Sequence, residues 1–232
     1  MRDGGQVLEH EVYYQGRKAL RSSSKKRRLE ILQAALRIIA RDGVRAVRHR
    51  AVAQEAGVPL SATTYYFQDI HALIVDAFVL YAEQTYADFV LPFWQETLAW
   101  LDEIDHQRLG DMSYYEEVVR ELSRRGAHFI VTTALSQRER LLIETAFFYA
   151  ALMDERLRQP ALDYMQTLLV PLQKAMSRIG ARDTSLASHA VLAIMRQLQF
   201  EAMLAHGGGM DEERLCRAFT YQLYGQGTHH VG

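Results

Sequence analysis

Apolar positions recur along this chain at helical rather than strand spacing. Ile31/Leu32, Ala35/Leu36 and Ile39/Ala40 fall on one face of a cylinder, with Arg28, Arg37 and Arg41 elsewhere on it. Asp42-Gly43 predicts the end of that helix, because glycine accepts the backbone conformation a C-terminus commonly needs. A second, short helix is expected from about Val47 to Ala56, burying Val52, Ala53 and Ala56. Gly57 then permits a sharp turn, and Val58 returns to the core. The third helix starts at Pro59 or Leu60 and runs to about Tyr66, with Pro59 tolerated because a first-turn N–H has no intrahelical partner. Asp69 is the expected N-cap of a fourth helix beginning at Ile70.

Beyond it the pattern stays helical. Ser113 with Glu116 and Ser136 with Glu139 have capping-box spacing ahead of apolar stretches. Pro160 suits the first turn of a helix closed by Gly180. Thr184 is the expected cap of a long helix to His206, stopped by Gly207-Gly208-Gly209, and Asp211 with Glu212 and Glu213 opens the last helix. No β-alternation of useful length and no internal repeat is present, so the fold class is all-α. Residues 1 to 24 lack periodicity and hold Gly4, Gly5, Gly16 and three consecutive serines; they are expected to form a flexible arm.

Charge adds a second feature. The formal net charge is −1, yet residues 17 to 71 hold twelve Lys/Arg against four Asp/Glu, while the rest is acidic. A basic block beside an acidic remainder suggests a polyanion-binding module joined to something else, with a solvated charged helix face as the plainer alternative. Cys216 is the only cysteine, which excludes an intrachain disulfide framework and fits a reducing cytoplasm. No signal peptide or membrane span is apparent, so a soluble cytoplasmic protein is expected.

Within the basic block, a short helix, a glycine turn and a second short helix form a helix-turn-helix candidate. The major groove admits one helix, so the first must brace while the second presents side chains to base edges. Ala53, Ala56 and Gly57 supply the small residues where the two approach. The stretch Arg27 to Ala77 resembles the N-terminal domain of the TetR family of regulators. The matching features are the helix ending in Gly43, Val52-Ala53, Ala56-Gly57-Val58, Tyr66-Phe67 and Ala72-Leu73.

The resemblance implies a flexible basic arm at 1–24, a helix-turn-helix DNA-binding domain at 25–69 and a larger helical effector-binding and dimerisation domain at 70–232. It implies that Ser61, Ala62, Thr64 and Tyr65 face the groove and that Tyr66 hydrogen-bonds a phosphate. It also implies that His49 and Arg50 touch the backbone or adjacent bases. Phe67 reads better as core, and for Tyr65 core and reader both remain open. Thr64 and Ile70 depart from the family's frequent Tyr and Lys, so no phosphate contact is assigned to residue 70. Arg17, Lys18, Arg21, Lys25, Lys26, Arg27 and Arg28 can lie along phosphates, the alternative being a solubilising tail.

The family implies a homodimer on double-stranded operator DNA, released by a small, largely apolar effector. The last two helices are the natural pairing surface, with Leu198 and Phe219 on it, although purely internal packing is the alternative. Trp94, His128, Glu144, Phe147 and Phe148 are candidate effector contacts; the aromatic ones read equally as plain core, and His128 and Glu144 as satisfied core polar residues or as part of the wet face. No catalytic motif, metal site or cofactor signature is present, which argues against an enzyme. An architectural DNA binder is disfavoured by the acidic remainder.

Overall fold

The structure, a computed structural model, describes residues 22–204 and 211–225. The arm up to residue 21, including Arg17, Lys18 and Arg21, lies outside the described residues. So do His206, the Gly207-Gly208-Gly209 stop and the His229-His230 pair. Among the described residues there are ten α-helices and no strand. None of these helices is long and apolar enough to cross a membrane. The chain divides into two compact units, the first ending at Tyr81 and the second beginning at Ala82.

In the first unit α1 (Ser22–Asp42), α2 (His49–Ala56), α3 (Leu60–Tyr66) and the opening of α4 (Ile70–Thr85) surround one core. Ser22 to Ser24 belong to α1 rather than to an arm, so the basic run from Lys25 is helical. Ile31, Leu32, Ile39, Val52, Phe67 and Leu73 are almost completely buried, each worth about 1.5–3 kcal/mol on transfer from water. A single 3₁₀ turn, Val44–Ala46, leads to α2, which starts two residues later than its apolar pattern suggests. Gly57 closes α2 at φ 63°, where a Cβ would be strained. Its N–H donates to the Gln54 carbonyl and that of Val58 to the Ala53 carbonyl, the paired bonds of a Schellman end. Asp69 caps α4, its carboxylate accepting from the Ala72 N–H.

In the second unit the backbone stays helical from α4 through a π-helical segment, Tyr86–Val90, into α5 (Leu91–Glu103). Pro92 lacks an N–H and its ring crowds the carbonyl four residues back, which favours a wider turn there. Then come α6 (Met112–Ser136), α7 (Arg138–Met153), α8 (Glu155–Arg178), α9 (Thr184–Leu204) and α10 (Glu212–Tyr224). Their core joins Trp94, Leu101, Tyr115, Val119, Ile130, Leu172, Val191 and Phe219. Tyr115 donates to the Leu223 carbonyl, tying α6 to α10, and burial pushes its hydroxyl up to about 12.

Four helix starts differ from their sequence signals. Asp111 caps α6, accepting from the Ser113 and Tyr114 N–H groups, so Ser113 is already inside the helix. Ser136 ends α6 rather than capping α7, and its hydroxyl donates to the Thr132 carbonyl. Asp154 caps α8, which places Pro160 well inside the helix rather than in its first turn. Asp183 accepts from the Leu186 N–H and caps α9 in place of Thr184. In α6 and α9 an aspartate upstream of the expected hydroxyl takes the role, because a short carboxylate bonds free N–H groups while a hydroxyl can turn back on its own helix.

Candidate nucleic-acid interface

The α2–α3 pair is fixed from within. Thr63 is wholly buried; its hydroxyl donates to the Leu60 carbonyl at 2.8 Å and lies 3.1 Å from His49 Nδ1. Inward-facing Thr63 sets the outward face of α3: Ser61, Thr64 and Tyr65 are exposed and Ala62 half-buried. Tyr65, at 67% exposed, stands edge-on to Tyr66 with ring centroids 5.0 Å apart. Its exposure removes the core alternative for that residue, whereas Phe67 is buried as expected. Tyr66 is half-buried, and its oxygen accepts a hydrogen bond from Ser24 Oγ at 3.2 Å, leaving its own proton to donate elsewhere.

Cations around this face fall into two groups. Arg50 is exposed, as are Arg45 in the 3₁₀ turn and Arg48 at the N-cap of α2. None of the three meets an acid among the described residues. Arg45 and Arg48 went unassigned in the sequence, although the run Arg45, Arg48, His49, Arg50 was a readable signal. Lys25 and Lys26 are exposed on the first turns of α1, and Arg27 lies 3.3 Å from Glu30 at the surface. Arg37 and Arg41 are committed instead to Glu55, whose carboxyl their hydrogen bonds and charge hold below the usual range. A depression of about 440 Å³ between α1 and α2 is rimmed by this neutralised set, Arg41, Asp42 and Glu55.

Arg28 corrects the expectation that the whole basic run faces DNA. It is 8% exposed, ion-paired with buried Asp76, and lies 5.1 Å over the Phe67 ring. Its place on α1, next to apolar Ile31 and Leu32 by helical spacing, turns it inward. Burial pushes the Asp76 carboxyl above its ordinary range, and Arg28 draws it part of the way back.

In the second unit the expected effector contacts do not converge on one place. His128 is a correction: its side chain is 62% exposed and faces Glu212 at 3.4 Å, because flanking Ala127 and Ile130 take the buried face of α6. Trp94 belongs to the core with Phe93, which stacks on Phe129 at 4.3 Å. Phe147 is buried on α7. Glu144 and Phe148 do share a cluster. Glu144 accepts from the Tyr164 hydroxyl and lies 3.1 Å from Arg196, whose guanidinium sits 4.2 Å over Phe148. Arg196 and Tyr164 carried no role in the sequence reading, since they lie on helices far from Glu144 along the chain.

Of the two expected pairing residues, Phe219 is corrected. Phe219 is 3% exposed and meets Gly126 of α6 at 3.7 Å, so α10 spends its apolar stripe inside its own unit. Leu198 is only partly buried and packs against the same core.

Residues 31–77 match the sequence model described as bacterial regulatory proteins, tetR family. None of the functionally curated proteins compared with the chain matches it. Among solved structures, the multidrug binding protein EbrR complexed with ethidium is 25% identical, covering 84% of this chain and 98% of its own, with TM-score 0.60. A member of the TetR family from Streptomyces coelicolor A3 is 24% identical over 85% of this chain and 98% of its own, TM-score 0.60. A structure from Mesorhizobium loti MAFF303099, ascribed to the same family, reaches TM-score 0.64 at 16% identity, covering 88% and 96%. The region 31–77 thus matches the tetR family of bacterial regulatory proteins, and the helical fold is one that these solved structures share.

Proposed function

We propose that the protein is a cytoplasmic, non-enzymatic repressor that binds operator DNA as a homodimer and is released by a small, largely apolar effector. The observation that carries the DNA part is the set of exposed cations Arg45, Arg48 and Arg50, without an acidic partner among the described residues, around an exposed α3 whose inner side Thr63 locks. Ser61, Ala62, Thr64 and Tyr65 read base edges. His49, Arg50, Arg27 and the Tyr66 hydroxyl hold phosphates, which position the helix without carrying sequence information. Duplexes selected from a random pool, then varied base by base in gel shifts, test this division. Thr64→Ala should shift discrimination at one position by roughly 1–3 kcal/mol, whereas Tyr66→Phe should weaken every duplex alike. The reverse pattern would mean that α3 lies in a different register.

One helix-turn-helix buries too little for specific binding alone, so two copies are needed. With Phe219 internal, the support for pairing moves to α9. Leu186, Ala190, Ala193, Gln197, Phe200 and Leu204 recur at alternating steps of four and three, and Leu186, Phe200 and Leu204 are exposed at 65%, 46% and 63%. Sedimentation should give about twice the 26.6 kDa chain mass. Leu186→Asp with Phe200→Asp should give a folded monomer, and a dimer unaffected by both changes would remove α9 from the interface.

The effector reading is supported by the aromatic, helix-enclosed second unit and by the likeness to EbrR, solved with ethidium and with proflavin. Those two dyes are the first probes to use. A ligand that binds the folded protein should raise its melting temperature by mass action and lower its affinity for the selected duplex.

A further inference from the structure

We propose that Thr63 is a positioning residue that holds His49 as the tautomer protonated on Nδ1, and that DNA binding takes up a proton on His49 Nε2. The inference rests on the reading of α2 and α3 as the DNA-facing pair. It adds a residue that cannot touch DNA itself, since Thr63 is 0% exposed.

The reasoning is a count of hydrogens. A threonine hydroxyl has one proton and two lone pairs. Thr63 gives its proton to the Leu60 carbonyl, the shorter of its two contacts at 2.8 Å. Only lone pairs then remain for His49 Nδ1, 3.1 Å away, so that nitrogen must carry the hydrogen. Nε2, across the ring, has no partner among the described residues. In the neutral ring it is an acceptor and repels a phosphate oxygen; once protonated, it becomes a cationic donor suited to one.

The surroundings set the direction of the effect. The helices packed against α2 are α1 and α3. Among the described residues α3 has no charged side chain, only the phenols Tyr65 and Tyr66. From α1, Arg37 and Arg41 reach α2 and are held on Glu55, with Asp42 on Arg41. Glu55 lies six residues from His49, roughly 9 Å along the helix axis. Arg45, Arg48 and Arg50 are the cations nearest in sequence, and no carboxylate pairs with His49 among the described residues. A DNA phosphate is therefore the first anion to favour the charged ring. The complex holds this proton more tightly than the free protein, so affinity is greatest at low pH. It falls as pH rises and the ring in the complex gives up that proton.

The test uses the full chain and a labelled random-sequence duplex at fixed salt. Affinity should fall about three- to tenfold from pH 6 to pH 8, with one proton's linkage as the ceiling. His49→Asn should bind without that slope. In the free protein with the ring neutral, long-range proton–nitrogen correlation spectra should show His49 protonated on Nδ1. Thr63→Val should move the proton to Nε2 and reduce the pH slope, and Thr63→Ser should restore both. If Thr63→Val does not fold, Thr63→Ser and His49→Asn still decide. A wild-type ring protonated on Nε2, or a pH slope that survives His49→Asn, overturns the proposal while leaving DNA binding intact. Absence of duplex binding at every pH instead overturns the DNA-facing reading on which it rests.

Discussion

In the first unit Arg45, Arg48 and Arg50 stand exposed with no acid beside them among the described residues, whereas in the second Arg120, Arg124, Arg125, Arg140 and Arg178 each meet a carboxylate. The same side chain thus serves two ends. A neutralised surface arginine stitches helices together weakly, each pair being worth about 0–1 kcal/mol. An unneutralised one keeps its field, which draws phosphates and releases their counterions on binding. The ion pairs of Arg28 in the first unit and Arg196 in the second differ as well. Arg28 is sealed in with Asp76, while the Arg196 side chain remains 30% exposed beside Glu144.

The largest expected effect comes from stranding the sealed cation. Asp76→Ala should cost about 3–5 kcal/mol, since an unpaired charge is left in the core. Amide exchange in α1 and in the opening turns of α4 would register it as lost protection. Combining Arg28→Met with Asp76→Leu should recover most of the loss, because the pair contributes mainly by not being broken. Full stability in Asp76→Ala alone would mean that Arg28 reaches water easily, which would erase its contrast with Arg196.

Glu144→Ala strands a cation that solvent already reaches, so a smaller cost of about 1–3 kcal/mol is expected in chemical denaturation. Tyr164 and Phe148 should then lose order together, visible in near-ultraviolet circular dichroism.

Smaller again, and confined to DNA, is the effect of the free cations. Arg48→Ala or Arg50→Ala should each make the log–log salt dependence of duplex affinity shallower by about 0.9, with little change in melting temperature. An unchanged slope for both would show that they point away from the phosphates.

The smallest effect sharpens the comparison from the other side. Arg120→Ala removes an exposed i,i+4 partner of Glu116. It should alter stability by no more than about 0.5 kcal/mol and leave the salt slope unchanged.

Much of the first unit is legible in the sequence. The stops at Gly43 and Gly57, the limits of α3 near Pro59 and Tyr66, and the Asp69 cap are local events, decided by a few neighbouring residues. The outward face of α3 follows from helical periodicity once one position is known to point inward. Three cap assignments in the second unit failed although each signal was real. At α6 and α9 an aspartate takes the N–H groups a hydroxyl was expected to cap, and at α7 the Ser136 hydroxyl turns back on its own helix; spacing does not rank these options.

By itself the sequence determined that the chain is helical, that a helix-turn-helix sits in a basic block, and which residues line its third helix. These depend on short-range periodicity and on backbone permissiveness, both written residue by residue. Only the tertiary structure decided how each charge and apolar stripe is spent. Arg28 looked like one more cation of a basic run until Asp76, nearly fifty residues on, took it inside. Phe219 looked like pairing surface until α6 offered Gly126 as a place to bury it, and Thr63 gained its part from His49 on the preceding helix. Whether a group faces water, an opposite charge or another helix is fixed by partners distant in the chain, and periodicity marks a face without naming what covers it.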